Sequence, residues 1–117
     1  MDTRFAAYLP GIRQRRLKEQ KSWQERRERA WASARRAAAV LHQYGASQVI
    51  AFGSLVRQGP FDERSDIDLA VEGVAAAQFF RAAAAAAAEC ELELDVIDWA
   101  DASPAVREEI RREGVPL

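Results

Sequence analysis

At 117 residues with 49% apolar side chains, the chain has room for one compact domain with a real core, although alanine supplies much of that fraction. Cys90 is the only cysteine, which excludes an internal disulfide and a cysteine-based zinc site and fits a reducing, cytoplasmic setting. The net charge of −1 conceals a split: residues 1–44 hold 11 Lys/Arg against 4 Asp/Glu, whereas residues 45–117 hold 6 against 14. Such a split marks either a partner surface or a solvated basic helix beside an acidic domain. The opening MDTRFAAYLPGIRQRR lacks the apolar core of a signal peptide, and no stretch is long and apolar enough to cross a membrane.

Residues 12–44 contain no proline or glycine and are dominated by Arg, Glu, Gln, Lys and Ala, so they read as helix. Trp23, Ala30, Trp31, Ala34, Ala38 and Leu41 recur at helical spacing and form an apolar stripe, with Arg26, Arg27, Arg29, Arg35 and Arg36 mostly off it. Gly45 is the expected C-cap. A continuous helix of that length spans roughly 50 Å. Its front half is therefore expected to break, to pack on a second copy, or to dock on a partner. Trp23 and Trp31, about two helical turns apart, suit a self-association seam or an ordinary core. The lone His42 is expected to be a surface or seam residue rather than a ligand.

SQVIAF, residues 47–52, reads as a short strand ended by Gly53-Ser54, with one helical turn over 55–58. GPFDERS, residues 59–65, is a loop by its turn formers. DIDLAV then alternates, sending Ile67, Leu69 and Val71 one way and Asp66, Asp68 and Ala70 the other. Residues 74–89 read as an alanine-driven helix, and ELELDVID, residues 91–98, as a strand with Leu92, Leu94 and Val96 inward and Glu91, Glu93 and Asp95 outward. Ser103-Pro104 opens a last helix to about residue 113. The order predicts an α/β (α+β) domain over 45–117, a small mixed sheet of about three strands with helices packed on one face. A basic helical extension, 1–44, precedes it.

Asp66 and Asp68 share a strand face, and Asp95 lies on the equivalent face of another strand. If the strands are neighbours, three carboxylates of ordinary pKa about 3.9 converge and repel. An oxygen-only set suits a hard cation, Mg²⁺ or Mn²⁺, rather than zinc. Alternating Asp and Leu is equally the pattern of a half-exposed strand, but aspartate is a poor strand former, and a third in another strand needs a reason. Gly53 allows a phosphate to approach the backbone, and the Ser54 hydroxyl can bind its oxygens.

Gly53-Ser54, eleven intervening residues, and Asp66-Ile67-Asp68 within SDIDL together resemble the signature of the polymerase-β-type nucleotidyltransferase superfamily. The short length and the closing ELDVIDWADASPAVREEIRREGVPL are similar to its minimal nucleotidyltransferase branch, where Asp95 matches a third aspartate. The resemblance covers roughly 45–117. It departs from the branch by one extra residue, Gln58, between Arg57 and Gly59-Pro60.

The resemblance implies that Gly53 and Ser54 hold the β and γ phosphates of ATP and that Arg57 touches the triphosphate. It implies that Asp66 and Asp68 bind Mg²⁺ (or Mn²⁺), with Asp95 completing the metal site and helping to activate the acceptor hydroxyl. It further implies an antitoxin partnered with a HEPN-family toxin, silencing it by AMP transfer to a tyrosine. Three other readings stand beside this one: neutralisation by binding alone, nucleotide transfer to RNA, which the basic segment would attract, and modification of a small hydroxylated molecule.

Overall fold

The computed structural model describes residues 3–117, with side chains from Pro10 onward. Residues 1 and 2 of the 1–44 segment lie outside the described residues. Helix α1, Thr3–Gln43, is unbroken, passes through Pro10, and accounts for the 65 Å long axis of the molecule. The rest is a sheet of β1 (Gln48–Phe52), β2 (Ile67–Glu72), β3 (Leu94–Asp98) and β4 (Val115–Pro116), with α2 (Phe79–Ala87) and α3 (Pro104–Glu113). The order across the sheet is β3-β2-β1-β4, in which β2 and β3 run parallel and the other pairs antiparallel.

The sheet is mixed, as expected, but has four strands rather than about three. The fourth is a two-residue pairing of Val115 and Pro116 with Ala51 and Ile50, too short to carry an alternating pattern. Strand β3 starts at Leu94, not at residue 91, and α2 starts at Phe79 after a 3-10 turn over Ala76–Gln78. Alanine propensity favours a helix there without saying where it begins.

Helices divide between the faces. On one face Val49, Ala51, Ile67, Leu69 and Val71 pack with Ala30, Ala34, Ala37, Ala38 and Leu41 of α1 and Ala82 and Ala86 of α2. On the other, Phe52 and Ala70 pack under Ile110 of α3, with Ile50, Ile97 and Val106 at the margin. The one-sided arrangement read from the sequence thus becomes two-sided, because Ile50, Phe52 and Ile97 leave apolar surface on the second face. Part of that face remains uncovered beside α3, and there the acidic residues lie.

Helix α1 ends as its sequence predicts. The amides of Gly45 and Ala46 bond the carbonyls of His42 and Leu41, and Gly45 takes φ of 102°. This paired reverse turn satisfies carbonyls at the helix end and needs a residue that tolerates positive φ. His42 bridges the carbonyl oxygens of Ala46 and Leu117, tying the helix end to the last strand. Trp23 and Trp31 pack, partly buried, against the chain's own core. Every described side chain from residue 10 to 22 is exposed, Ile12 and Leu17 among them. Among the described residues no helix is long and apolar enough to cross a membrane.

Leu41 is 1% exposed and joins α1 to the sheet. Leu41→Ala is expected to cost about 3 kcal/mol, read as a lower urea midpoint at unchanged slope, since the cavity cannot fully collapse.

Candidate functional site

Backbone pairing builds the acidic face. Asp68 lies opposite Phe52 of β1 and opposite Asp95 of β3, so two aspartates of adjacent parallel strands stand side by side. The period of two sends Ile67, Leu69 and Val96 inward and leaves both carboxylates on the α3 side. Asp66 sits one residue ahead of β2, half-buried.

Strand β1 ends at Phe52, and Gly53–Leu55 forms a 3-10 turn. Gly53 is buried with φ of 74°, and a Cβ built on it would overlap the Asp68 carboxylate. The turn therefore lies directly against Asp68. Gly53, Ser54, Arg57, Asp68, Asp95 and Glu109 line one open cavity of about 430 Å³, closed at its edge by Phe52, Ile97 and Val106. Of the residues read from the sequence, the structure brings five around this cavity. Asp66 is not among the lining residues, although its charge reaches Asp68.

The Asp68 carboxyl is pushed up from 3.8 to about 6, first by burial, then by the charges of Asp95, Asp66 and Glu109, with Arg57 opposing. Among the described residues no hydrogen-bond donor or ion-pair partner meets the side-chain carboxylates of Asp66, Asp68 or Asp95. Partnerless carboxylates whose charges help to raise the Asp68 pKa are a donor set that a cation would relieve. Among the described residues, no three His, Cys, Asp or Glu side chains already surround one point. The donors fit a hard cation by chemistry, with Asp68 and Asp95 as the register-matched pair.

Sequence reasoning missed Glu109 and Glu113. They sit one turn apart on α3 and hold the half-exposed Arg57: its Nε donates to Glu113 Oε2 at 3.0 Å, and Nη2 donates to Glu109 Oε1. The bond to Glu113 is the main reason that the Arg57 guanidinium is raised above its ordinary value. An i, i+4 glutamate pair on an amphipathic helix reads as a solvated face, so only their common face was legible.

Arg26 and Arg27 were missed as well. Both are half-buried, on the inward side of α1 rather than off it, and reach the 59–63 loop. Their place in the helical repeat, three and four residues after Trp23 and before Ala30, was the available signal.

A family model described as "Polymerase beta, Nucleotidyltransferase" matches residues 37–117. Among solved structures, a presumed minimal nucleotidyltransferase aligns over 85% of this chain and 96% of its own, with 26% identity and a TM-score of 0.60. A tri-AMPylated Shewanella oneidensis HEPN toxin in complex with an MNT antitoxin aligns over 74% of this chain and 70% of that one, with 18% identity and a TM-score of 0.56. A toxin–antitoxin structure with AMP-PNP aligns over 71% and 70%, with 19% identity and a TM-score of 0.60. At those identities the last two likenesses establish the fold. No curated protein matches the sequence. With a family match over more than half of the chain and the Gly-Ser turn set against two strand aspartates, the chain belongs to the polymerase-β nucleotidyltransferase family.

Proposed function

We propose that this chain is a protein adenylyltransferase that moves AMP from ATP to a tyrosine hydroxyl of a HEPN-type toxin and so acts as its antitoxin. The observation that carries this reading is the cavity in which Gly53, Ser54 and Arg57 face Asp68 and Asp95. The similar structures with an AMPylated toxin and with AMP-PNP support the choice of acceptor and nucleotide. The catalytic unit in this reading is 45–117, with 1–44 as a basic extension whose last turns also serve as core. A reducing cytoplasm is the setting proposed for it.

Gly53, which has no side chain to block approach, and Ser54 receive the β and γ phosphates, and Arg57 lies at the rim to meet them. Asp66, Asp68 and Asp95 are the residues that would hold Mg²⁺ or Mn²⁺. When bound there, such cations would supply charge neutralisation for the attacking and leaving oxygens. The acceptor oxygen forms its bond to the α-phosphorus as the bond to the β-phosphate oxygen breaks, releasing pyrophosphate. Asp95, exposed at the cavity, faces the acceptor side and helps to draw off the hydroxyl proton.

One observation favours a second reading, neutralisation by binding alone. Arg57 is already held by Glu109 and Glu113 rather than turned wholly to a phosphate. The test is incubation with Mg²⁺, labelled ATP and the co-purifying partner, repeated with Asp66→Ala/Asp68→Ala. Label on the partner that the double variant loses supports transfer. No label, with toxin inhibited by both versions, favours binding alone. Label on added RNA instead of protein reassigns the acceptor.

A further inference from the structure

The chain runs from the phosphate-facing turn to the first aspartate through residues 58–65, the segment that departs from the minimal branch by one residue. That segment is held from outside the family-matched region, by α1. Arg27 Nη2 donates to the carbonyl oxygens of Gly59 at 3.0 Å and Pro60 at 3.5 Å, and its guanidinium lies 5.1 Å from the centre of the Phe61 ring. Phe61 is fully buried in the core. Arg26 Nη2 donates to the carbonyl oxygen of Glu63 at 3.4 Å. The Nε atoms of both arginines are buried without a partner, while the Nη2 atoms that grip the loop lie at its exposed edge. Beyond the gripped carbonyls the loop closes on itself: Ser65 Oγ accepts from the Asp62 amide, and Asp62 Oδ1 accepts from the Arg64 amide.

Of the three proposed metal-binding aspartates, Asp66 and Asp68 differ in what holds them. Asp68 is paired with strands on both sides. The ladder between β2 and β3 starts at Ile67, whose amide bonds the Glu93 carbonyl, so Asp66 lies just outside it. Its place depends on the loop that precedes it.

We propose that Arg27, assisted by Arg26, is a positioning residue for Asp66: by fixing the 59–63 loop to α1 it sets where the first aspartate stands relative to Asp68. This rests on the nucleotidyltransferase reading above. It gives the basic extension a part in the site that neither a solvated helix nor a partner surface would have.

The test is binding of a fluorescent non-hydrolysable ATP analogue titrated with Mn²⁺, which needs no acceptor. Arg27→Ala is expected to raise the half-saturating Mn²⁺ concentration about tenfold, in the range found when groups that orient metal ligands are removed. Arg29→Ala, an exposed neighbour on the same helix, leaves it unchanged. In an Asp66→Asn background Arg27→Ala adds nothing further, because the residue it positions has already lost its charge. Should Arg27→Ala melt below the assay temperature, Arg27→Lys, which keeps a cation over Phe61 without the forked donor, carries the same comparison with a smaller shift. An unchanged Mn²⁺ requirement in the arginine variants, or an equal effect with and without Asp66, overturns the assignment while leaving the nucleotide reading intact. A wild type that binds no analogue overturns both.

Discussion

Replacing Asp68 by asparagine is expected to lower AMP transfer by at least about a hundredfold and, in the same protein, to raise the melting midpoint of the cation-free fold. The loss follows from removing the one cavity-lining aspartate that is paired on both sides. The gain follows from its surroundings, since Asp68 is half-buried and its carboxyl is raised to about 6 by burial and by Asp95, Asp66 and Glu109. A carboxyl whose folded pKa lies above its unfolded value favours the fold in its protonated form. That contribution is complete below about 3.8 and is lost as pH rises through about 6. Cation-free wild type should therefore be more stable near about pH 5 than about pH 8 by this group's share, and Asp68→Asn should flatten the difference. Allowing for solvent around a half-buried group, that share is about 1 kcal/mol, roughly 3–6 °C in melting midpoint. Scanning calorimetry at the two pH values measures it. A destabilised Asp68→Asn protein at the higher pH would mean that the aspartate has a donor partner after all.

Gly53→Ala should cost nearly as much activity for a different reason. The backbone there has φ of 74°, a region in which a side chain is strained by roughly 1–2 kcal/mol. The new methyl would overlap the Asp68 carboxylate, so that carboxylate must move. A shift of about 1 Å at a reacting centre is enough for roughly a hundredfold loss in rate. The expected result is a protein that folds, with a modestly lower midpoint, and transfers little AMP. Restored activity on adding Asp68→Asn is not expected, because the charge is then gone too. Steady-state transfer beside a urea melt separates the two effects; full activity in Gly53→Ala would show that the turn does not set the position of Asp68.

The site was legible where it rests on a strict local period. Asp68 and Asp95 announce a common face because strand side chains alternate, and the apolar partners Ile67, Leu69 and Val96 leave no second register; Asp66, one residue ahead of β2, is outside that period and does not line the cavity. Helix α3 was readable from its ends: Ser103 Oγ caps the Val106 amide, Pro104 starts the helix, and Gly114 follows it. Features created by tertiary contact were not readable. The pairing of Val115-Pro116 exists only because β1 lies beside it. The grip of Glu109 and Glu113 on Arg57 joins residues more than fifty positions apart, and nothing local distinguishes those glutamates from solvated ones. Arg26 and Arg27 occupied core-facing helical positions in plain view, but long basic side chains also lie along apolar surface with their heads in water, so the same pattern fits two placements. The placing of α3 on the second face had a sequence signal in Ile50 and Phe52, apolar on the parity opposite Val49 and Ala51.

The chemistry at the cavity is tested most directly by the position of the label in ATP. With purified partner, Mg²⁺ and ATP labelled at either the α or the γ phosphate, nucleotidyl transfer puts the α label on the acceptor and the γ label in pyrophosphate, and Asp68→Asn removes both signals. A γ label on the acceptor, or α-label transfer that survives Asp68→Asn, would contradict the account.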